Sequence, residues 1–343
     1  MDLATASKEN AIVLCNTVHD RYKATKRMRK FSAGNPASHP NRVMKNAIIF
    51  LLSQGSHRLR AITDVLAYCK YTSEIIIRIE VNEKARSVAP TNFKKLLSEL
   101  GGADFERMLT ENSEYEFSID FDKGISERDF SQFAHLEHMF NIERKLRQWG
   151  VIKPVELYIQ RKDGRRVSLM SASSGELSLI SSLVFMLCHL HENNIILIDE
   201  PENSLHPQWQ KEYVPFLLSL IGYHRVDIFI ATHSPMIVSG AQVDHEDEVS
   251  FYSPKTGVYS RSSSSGVEAT LWEQFNTISP ESRYLSEQIV SRLDDLEAKK
   301  TTLPEVLSFI AQAQDASFDK KQESVFRAAR TFANRIASGN DND

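Results

Sequence analysis

Apolar and polar positions follow two periods along the chain. Over residues 46–68 and 127–149 apolar side chains recur every three to four positions, as in Phe130, Phe133, Leu136, Met139, Phe140 and Ile142, which predicts amphipathic helices. The same spacing runs through Ile180, Leu183, Val184, Leu187 and Leu190 behind the small residues SASSGE at 171–176, and again through Trp209, Tyr213, Phe216, Leu217 and Leu220. Short apolar runs at 12–15, 195–198 and 227–231 show no alternation and read as strands of a parallel sheet buried on both faces. Further strands are predicted at 75–81 and 115–119, and as a pair at 248–252 and 257–260. Residues 155–160 and 166–170 form a hairpin candidate across Asp163-Gly164, whose turn carries Arg161, Lys162, Arg165 and Arg166. Because the hairpin runs into SASSGE, it is expected to set the angle at which the next helix meets the sheet.

The connecting segments are polar. Arg21, Lys23, Lys26, Arg27, Arg29 and Lys30 put six positive charges into ten residues, which reads as a solvated loop or as a contact to a phosphate backbone. Residues 32–41 form a turn-rich linker in which Pro36 and Pro40 preclude regular helix. SSSSG at 262–266 reads as a flexible junction. Beyond it the chain is predicted all-helical, with helix starts at Ser279-Pro280-Glu281 and Leu303-Pro304-Glu305 and a disordered end at 338–343. Leu271, Trp272, Phe275, Tyr284, Leu285, Ile289, Leu293 and Leu296 supply more apolar surface than a surface helix needs, so this tail covers either the chain's own body or a partner.

With 343 residues, 41% of them hydrophobic, the chain can build a sizeable core and two or three domains. No run approaches the ~18 apolar residues of a membrane span, and the N-terminus lacks the apolar core of a signal peptide, so a cytoplasmic location and no membrane partner are expected. The three cysteines, Cys15, Cys69 and Cys188, stand among apolar neighbours as reduced core thiols. A formal net charge of −4 argues against a wholly basic nucleic-acid binder while leaving local contacts open.

The candidate chemistry lies at the ends of the parallel strands, where ligands bind in such sheets. Asp199 and Glu200 follow the run at 195–198. One carboxylate there can hold Mg²⁺ through its water shell while the next orients or deprotonates an attacking water. Ser173, Ser174 and Gly175 leave backbone N–H groups at a helix N-terminus free to face an anion. His233, after the strand at 227–231, can donate to a phosphate oxygen.

In order and spacing these residues resemble the ATPase heads of the ABC class, in the branch of RecF-like, SMC-like and OLD-like prokaryotic ATPases, over roughly residues 155–253. SASSGE is similar to the signature motif, IILIDE to Walker B with its catalytic glutamate, ENSLHP to the D-loop and ATHSP to the switch-histidine loop. The resemblance implies an α/β fold, an ABC-type P-loop ATPase head with a mixed sheet, flanking helices, a helical insertion and a helical C-terminal extension. It implies ATP and Mg²⁺ as cofactors and ATP held between two heads. Glu200 and His233 would be catalytic, Asp199 would hold Mg²⁺ through water, and Ser173, Ser174, Gly175 and Glu176 would cap the nucleotide across the dimer.

None of the 13 glycines opens the phosphate-cradling pattern GxxxxGK followed by Ser or Thr. The expected organisation is therefore a remnant of the N-terminal ATPase lobe at 1–30, a mainly helical insertion at 31–150, the ATPase core at 151–262 and the helical extension at 263–343. Either the P-loop belongs to an N-terminal portion not in this sequence, or the head does not bind ATP by itself. The C-terminal region lacks the acidic clusters of a Toprim nuclease, which moves the resemblance toward Septu-type and retron-associated anti-phage ATPases. Those imply a homodimer or higher oligomer that controls an HNH-type nuclease or retron components, with nucleic-acid contact open. A non-hydrolysing scaffold holding a nuclease or toxin, and a RecF-like DNA-repair ATPase, are the alternatives.

Overall fold

The computed structural model describes residues 11–17, 20, 22, 23, 25–54, 57–82, 114–123, 127–222, 224–242, 249–253, 258–260, 266–279, 282–317 and 322–338. The chain falls into two compact units, one of Met1–His206 with Leu217–Thr232, the other of Pro207–Phe216 with His233–Asp343. The expectations for the chain before residue 11, for 83–113 and for most of the SSSSG junction lie outside the described residues, as does the chain beyond Ser338.

The first unit is built on a four-stranded parallel sheet of β1 (Ala11–Cys15), β2 (Met28–Ser32), β7 (Ile195–Asp199) and β8 (Asp227–Ala231) in the order β2-β1-β7-β8. All three pairings are in register, so Ser32, Cys15, Asp199 and Ala231 end in one row. Val13, Leu14 and Ile196 have no exposed surface. The helix α4 (Ser174–His189) lies against β1 and β2, with Phe185 meeting Phe31 at 5.8 Å between ring centroids. Its outer side packs on α1 (Pro40–Gln54) and α2 (His57–Tyr68), so the fold is the α/β architecture expected of an ATPase head.

Three local expectations need correction. The basic stretch is not loop throughout: Met28–Ser32 is a strand, because Phe31 and Ser32 bury beside β1 while Lys30 pairs with Asp20 at 2.5 Å. Burial on both faces does not hold: Ile196 and Ile198 are buried on one face of β7, whereas Ile195 on the other face is 38% exposed, and Phe229 of β8, an edge strand among the described residues, is 57% exposed. Pro40 does not prevent a helix but begins α1, where its missing N–H costs nothing.

A second, antiparallel sheet takes the order β4-β3-β5-β6, from β3 (Tyr71–Glu80), β4 (Glu114–Asp120), β5 (Glu156–Arg161) and β6 (Arg166–Ser168). The expected hairpin is present, turning at Gly164 with φ +86°, a left-handed value that favours glycine. Between the two sheet halves in sequence runs α3 (Glu127–Gln148), whose Leu136, Met139, Ile142 and Leu146 are buried. Glu143 of α3 pairs with Lys45 of α1 at 2.7 Å and accepts the Val155 N–H, which ties α1, α3 and the approach to β5 together.

The second unit holds residues 207–216 of α5 (Pro207–Ile221), then α6 (Pro235–Gln242), the pair β9 (Phe251–Ser253) and β10 (Val258–Ser260), and α7 (Val267–Glu273), α8 (Arg283–Glu297), α9 (Leu303–Ala316) and α10 (Gln322–Ser338). The tail largely covers itself. Leu285, Ile289 and Leu296 of α8 form one core with Val306, Phe309, Ile310, Phe326, Ala329 and Ala333, and Trp272 meets Phe309 edge-on at 5.6 Å. No described helix is long and apolar enough to cross a membrane.

Pro215 sits inside α5 and has no N–H for the Lys211 carbonyl one turn earlier. That carbonyl is met by Gly240 of α6, so closely that a methyl group there would lie 1.8 Å from the Lys211 oxygen. The proline and the glycine thus serve one close helix crossing. Gly240→Ala should destabilise the protein by about 2 kcal/mol or more through overpacking, read as a lower urea midpoint; an unchanged midpoint would refute the close approach.

Candidate functional site

The carboxyl end of the parallel sheet is built from backbone before any side chain acts. Asp199 ends β7, and its carbonyl accepts the Asn16 N–H at 3.1 Å, which extends the β1–β7 ladder by one bond beyond the strands. Beside it the Cys15 thiol donates to Asp199 Oδ2 at 3.4 Å and lies 3.4 Å from Thr17 Oγ1. Burial pushes the Cys15 thiol up, so it stays protonated and able to donate.

Glu200 turns the chain sharply. Its φ of +49° is a left-handed value that costs a non-glycine residue about 1–3 kcal/mol. Hydrogen bonds on both sides hold it there: its N–H donates to the Ala231 carbonyl at 2.9 Å, and its own carbonyl accepts the Asn203 N–H at 3.2 Å. Ser204, at φ +68°, completes the turn, and Thr232 donates to Glu202 Oε1 at 2.7 Å. The strand run IILID stops here because Pro201, Asn203 and Ser204 supply turn chemistry in place of β-formers.

The N-terminus of α4 carries a capping box. Ser173 Oγ accepts the Glu176 N–H at 3.2 Å, while Glu176 Oε2 accepts the Ser173 N–H at 2.8 Å. The Ser174 and Gly175 N–H groups have no acceptor inside the helix and are donors of the kind an anion can use. Glu176 is only 7% exposed, and its other oxygen accepts from Arg161 at 3.2 Å. Burial pushes its carboxyl up, but the Ser173 amide and hydroxyl, the Tyr71 hydroxyl and the Arg161 charge outweigh that and leave it below the usual glutamate range.

Ser173, Ser174, Gly175, Glu176, Asp199 and Glu200 all stand in the first unit. His233 belongs to the second, one residue ahead of Ser234, which accepts the Met236 and Ile237 N–H groups at 3.2 and 3.3 Å and donates to Gln210.

Motif reading gives Asn16 no role in the site. It is 8% exposed, and its Oδ1 is buried with no partner at the end of β1, beside the strand that carries Asp199. The sequence signal was a polar side chain directly after an apolar strand. An amide oxygen and the Asp199 carboxylate are hard-oxygen donors of the kind that suit Mg²⁺, an ion which keeps most of its water and leans on one or two protein oxygens.

Residues 2–238 match the family described as AAA ATPase domain, and the chain belongs to that family. ATP binding and ATPase chemistry follow from membership, with nucleotide use that typically involves Mg²⁺.

Glu176 contributes a pH-dependent part of stability. Its folded pKa lies below the ordinary 4.5, so that contribution is complete above about 4.5 and is lost as pH falls through the folded value. Glu176→Gln should cost about 1.5–3 kcal/mol at neutral pH and flatten the acid limb of stability against pH. Denaturant titrations from pH 7 to 3 check this, and parallel curves for variant and parent would contradict it.

Proposed function

We propose that this member of the AAA ATPase domain family is an ABC-type head that hydrolyses ATP between two heads and serves as a sensor or regulator in anti-phage defence. The observation that carries the reading is the carboxylate pair Asp199-Glu200 at the end of a central parallel strand, with Glu200 locked in a left-handed turn by Ala231 and Asn203. Such a lock fixes the direction of the Glu200 side chain, which suits a base that must meet one water. Asp199, oriented by the Cys15 thiol, and the Asn16 oxygen would hold Mg²⁺. Bound Mg²⁺ would neutralise phosphate charge. Ser173 and the Ser174 and Gly175 N–H groups would face the γ-phosphate of the opposite head, and His233 would donate to a phosphate oxygen.

The phosphate cradle would come with an added strand. Among the described residues the edges of the sheet are β2, which carries Arg29 and Lys30, and β8, on which Phe229 is exposed. A parallel strand beside β8 would end in the same row as Asp199 and bring a glycine-rich loop to it. The likeness to Septu-type and retron-associated ATPases supports a partner role: ATP-driven dimerisation would control an HNH-type nuclease.

Glu200→Gln in the natively assembled protein should keep ATP binding, lower turnover about 100-fold or more and accumulate an ATP-stabilised dimer on chromatography. Unchanged turnover would remove the catalytic assignment, and ATP-driven dimerisation without turnover in the parent would favour a scaffold. Mixed dimers test sharing: with Gly175→Arg on one chain and Glu200→Gln on the other, both lesions fall in one composite site and the second site should keep turning over, whereas both lesions on a single chain of the dimer should disable both sites. Identical behaviour of the two arrangements would contradict a site shared between heads.

A further inference from the structure

A buried carboxylate is held at a loss unless its oxygens are fully engaged. Glu176 meets that demand with groups from two places. Oε2 takes the Ser173 N–H of its own helix, whereas Oε1 takes the Arg161 guanidinium from the last residue of β5. Arg161 in turn donates to the Tyr71 hydroxyl at 3.2 Å, with its guanidinium carbon 4.9 Å from the centre of the Tyr71 ring. The Tyr71 hydroxyl also bonds the Glu176 carboxylate, and burial followed by that negative charge pushes its pKa up to about 12, so it remains a donor. Tyr71 and Arg161 face each other across the β3–β5 ladder, and Tyr71 has no exposed surface. Three side chains therefore close a ring whose two anchors are strands of the antiparallel sheet and whose third member caps α4.

We infer that Arg161, braced by Tyr71, is a positioning residue for the nucleotide-facing N-terminus of α4. It fixes the Glu176 carboxylate, which fixes Ser173, and with it the direction in which the Ser174 and Gly175 N–H groups point. The inference rests on the reading above that this terminus faces the γ-phosphate. Arginine suits the task because one planar guanidinium can serve two acceptors and stack on a ring at once, which an ammonium cannot. The ring also makes the antiparallel sheet, and whatever moves it, mechanically continuous with the capping serine.

The test uses Arg161→Met, Arg161→Lys and, as a milder change that keeps the buried ring, Tyr71→Phe. Two readouts are taken on the natively assembled protein: hydrogen exchange at the Ser173 and Glu176 amides against Leu183 and Val184 in the middle of α4, and kcat and KM for ATP. Arg161→Met should speed exchange at Ser173 and Glu176 about tenfold with the helix centre unchanged, and lower kcat about tenfold with KM within about twofold. Arg161→Lys should recover part of both, Tyr71→Phe should shift both in the same direction by less, and Arg161→Met should add little to Glu176→Gln because the two act as one unit. Unchanged exchange at Ser173 and Glu176 overturns the inference whatever the activity does. So does unchanged kcat in Arg161→Met when Gly175→Arg abolishes turnover. If Gly175→Arg itself leaves turnover intact, it is the reading of the α4 terminus that fails, and the exchange result alone then decides the positioning role.

Discussion

The backbone of Glu200 is the constraint on which the site depends. A left-handed glutamate persists only where the surrounding structure over-determines it, and here the amide is claimed by Ala231 and the carbonyl by Asn203. The first bond requires β7 and β8 to end in register, since one residue of slippage would carry Ala231 out of reach, while the second is made within the turn itself. The in-register row of Ser32, Cys15, Asp199 and Ala231 is therefore more than regular pairing. It converts the interior packing of Leu14, Ile196 and their neighbours into the placement of two carboxylates.

The α4 terminus is fixed by a different kind of force. Its cap alone would satisfy only one oxygen of Glu176, and the remaining charge draws Arg161 and Tyr71 in from the antiparallel sheet. A solvated cap would have needed none of this. Burial of Glu176 is what makes the hairpin part of the site, since the desolvated carboxylate must find its partners in protein. The expectation that the hairpin sets the approach of the helix thus acquires a physical content in one guanidinium.

The parts of the fold that were legible in the sequence are those where a local signal and the tertiary outcome agree. IILID followed by turn residues gave a central strand and its end, Asp163-Gly164 gave the hairpin, and Leu303-Pro304-Glu305 gave a helix start, realised with the Thr302 capping box. The strand Met28–Ser32 was hidden because its charges follow no apolar alternation, and only pairing with β1 and the burial of Phe31 make it a strand. Exposure of Phe229 was equally invisible, because DIFIA reads the same at the centre of a sheet and at its edge. Among the candidate site residues, Asp199, Glu200 and the SASSGE serines stand out by spacing. Asn16 and Arg161 did not, since an orphaned amide oxygen and a long-range ion pair are facts of three dimensions.

The two edges of the parallel sheet differ in a way that bears on where phosphates would lie. Long charged side chains on an edge discourage further pairing, and β2 carries Arg29 and Lys30 with Lys30 engaged by Asp20 and the Tyr22 carbonyl. β8 carries an isoleucine, a phenylalanine and an isoleucine in succession, and its phenylalanine is the most exposed large apolar side chain in either sheet's described strands. Among the described residues β8 is an edge, and an apolar edge is a liability that sheets usually cover. A strand added there would lie beside the turn that holds Glu200 through Ala231, and its loop would emerge next to the carboxylates rather than at the far side of β2. Edge chemistry and site geometry therefore agree on one side of the sheet, and the constraint that locks Glu200 is the same one that would align an incoming strand.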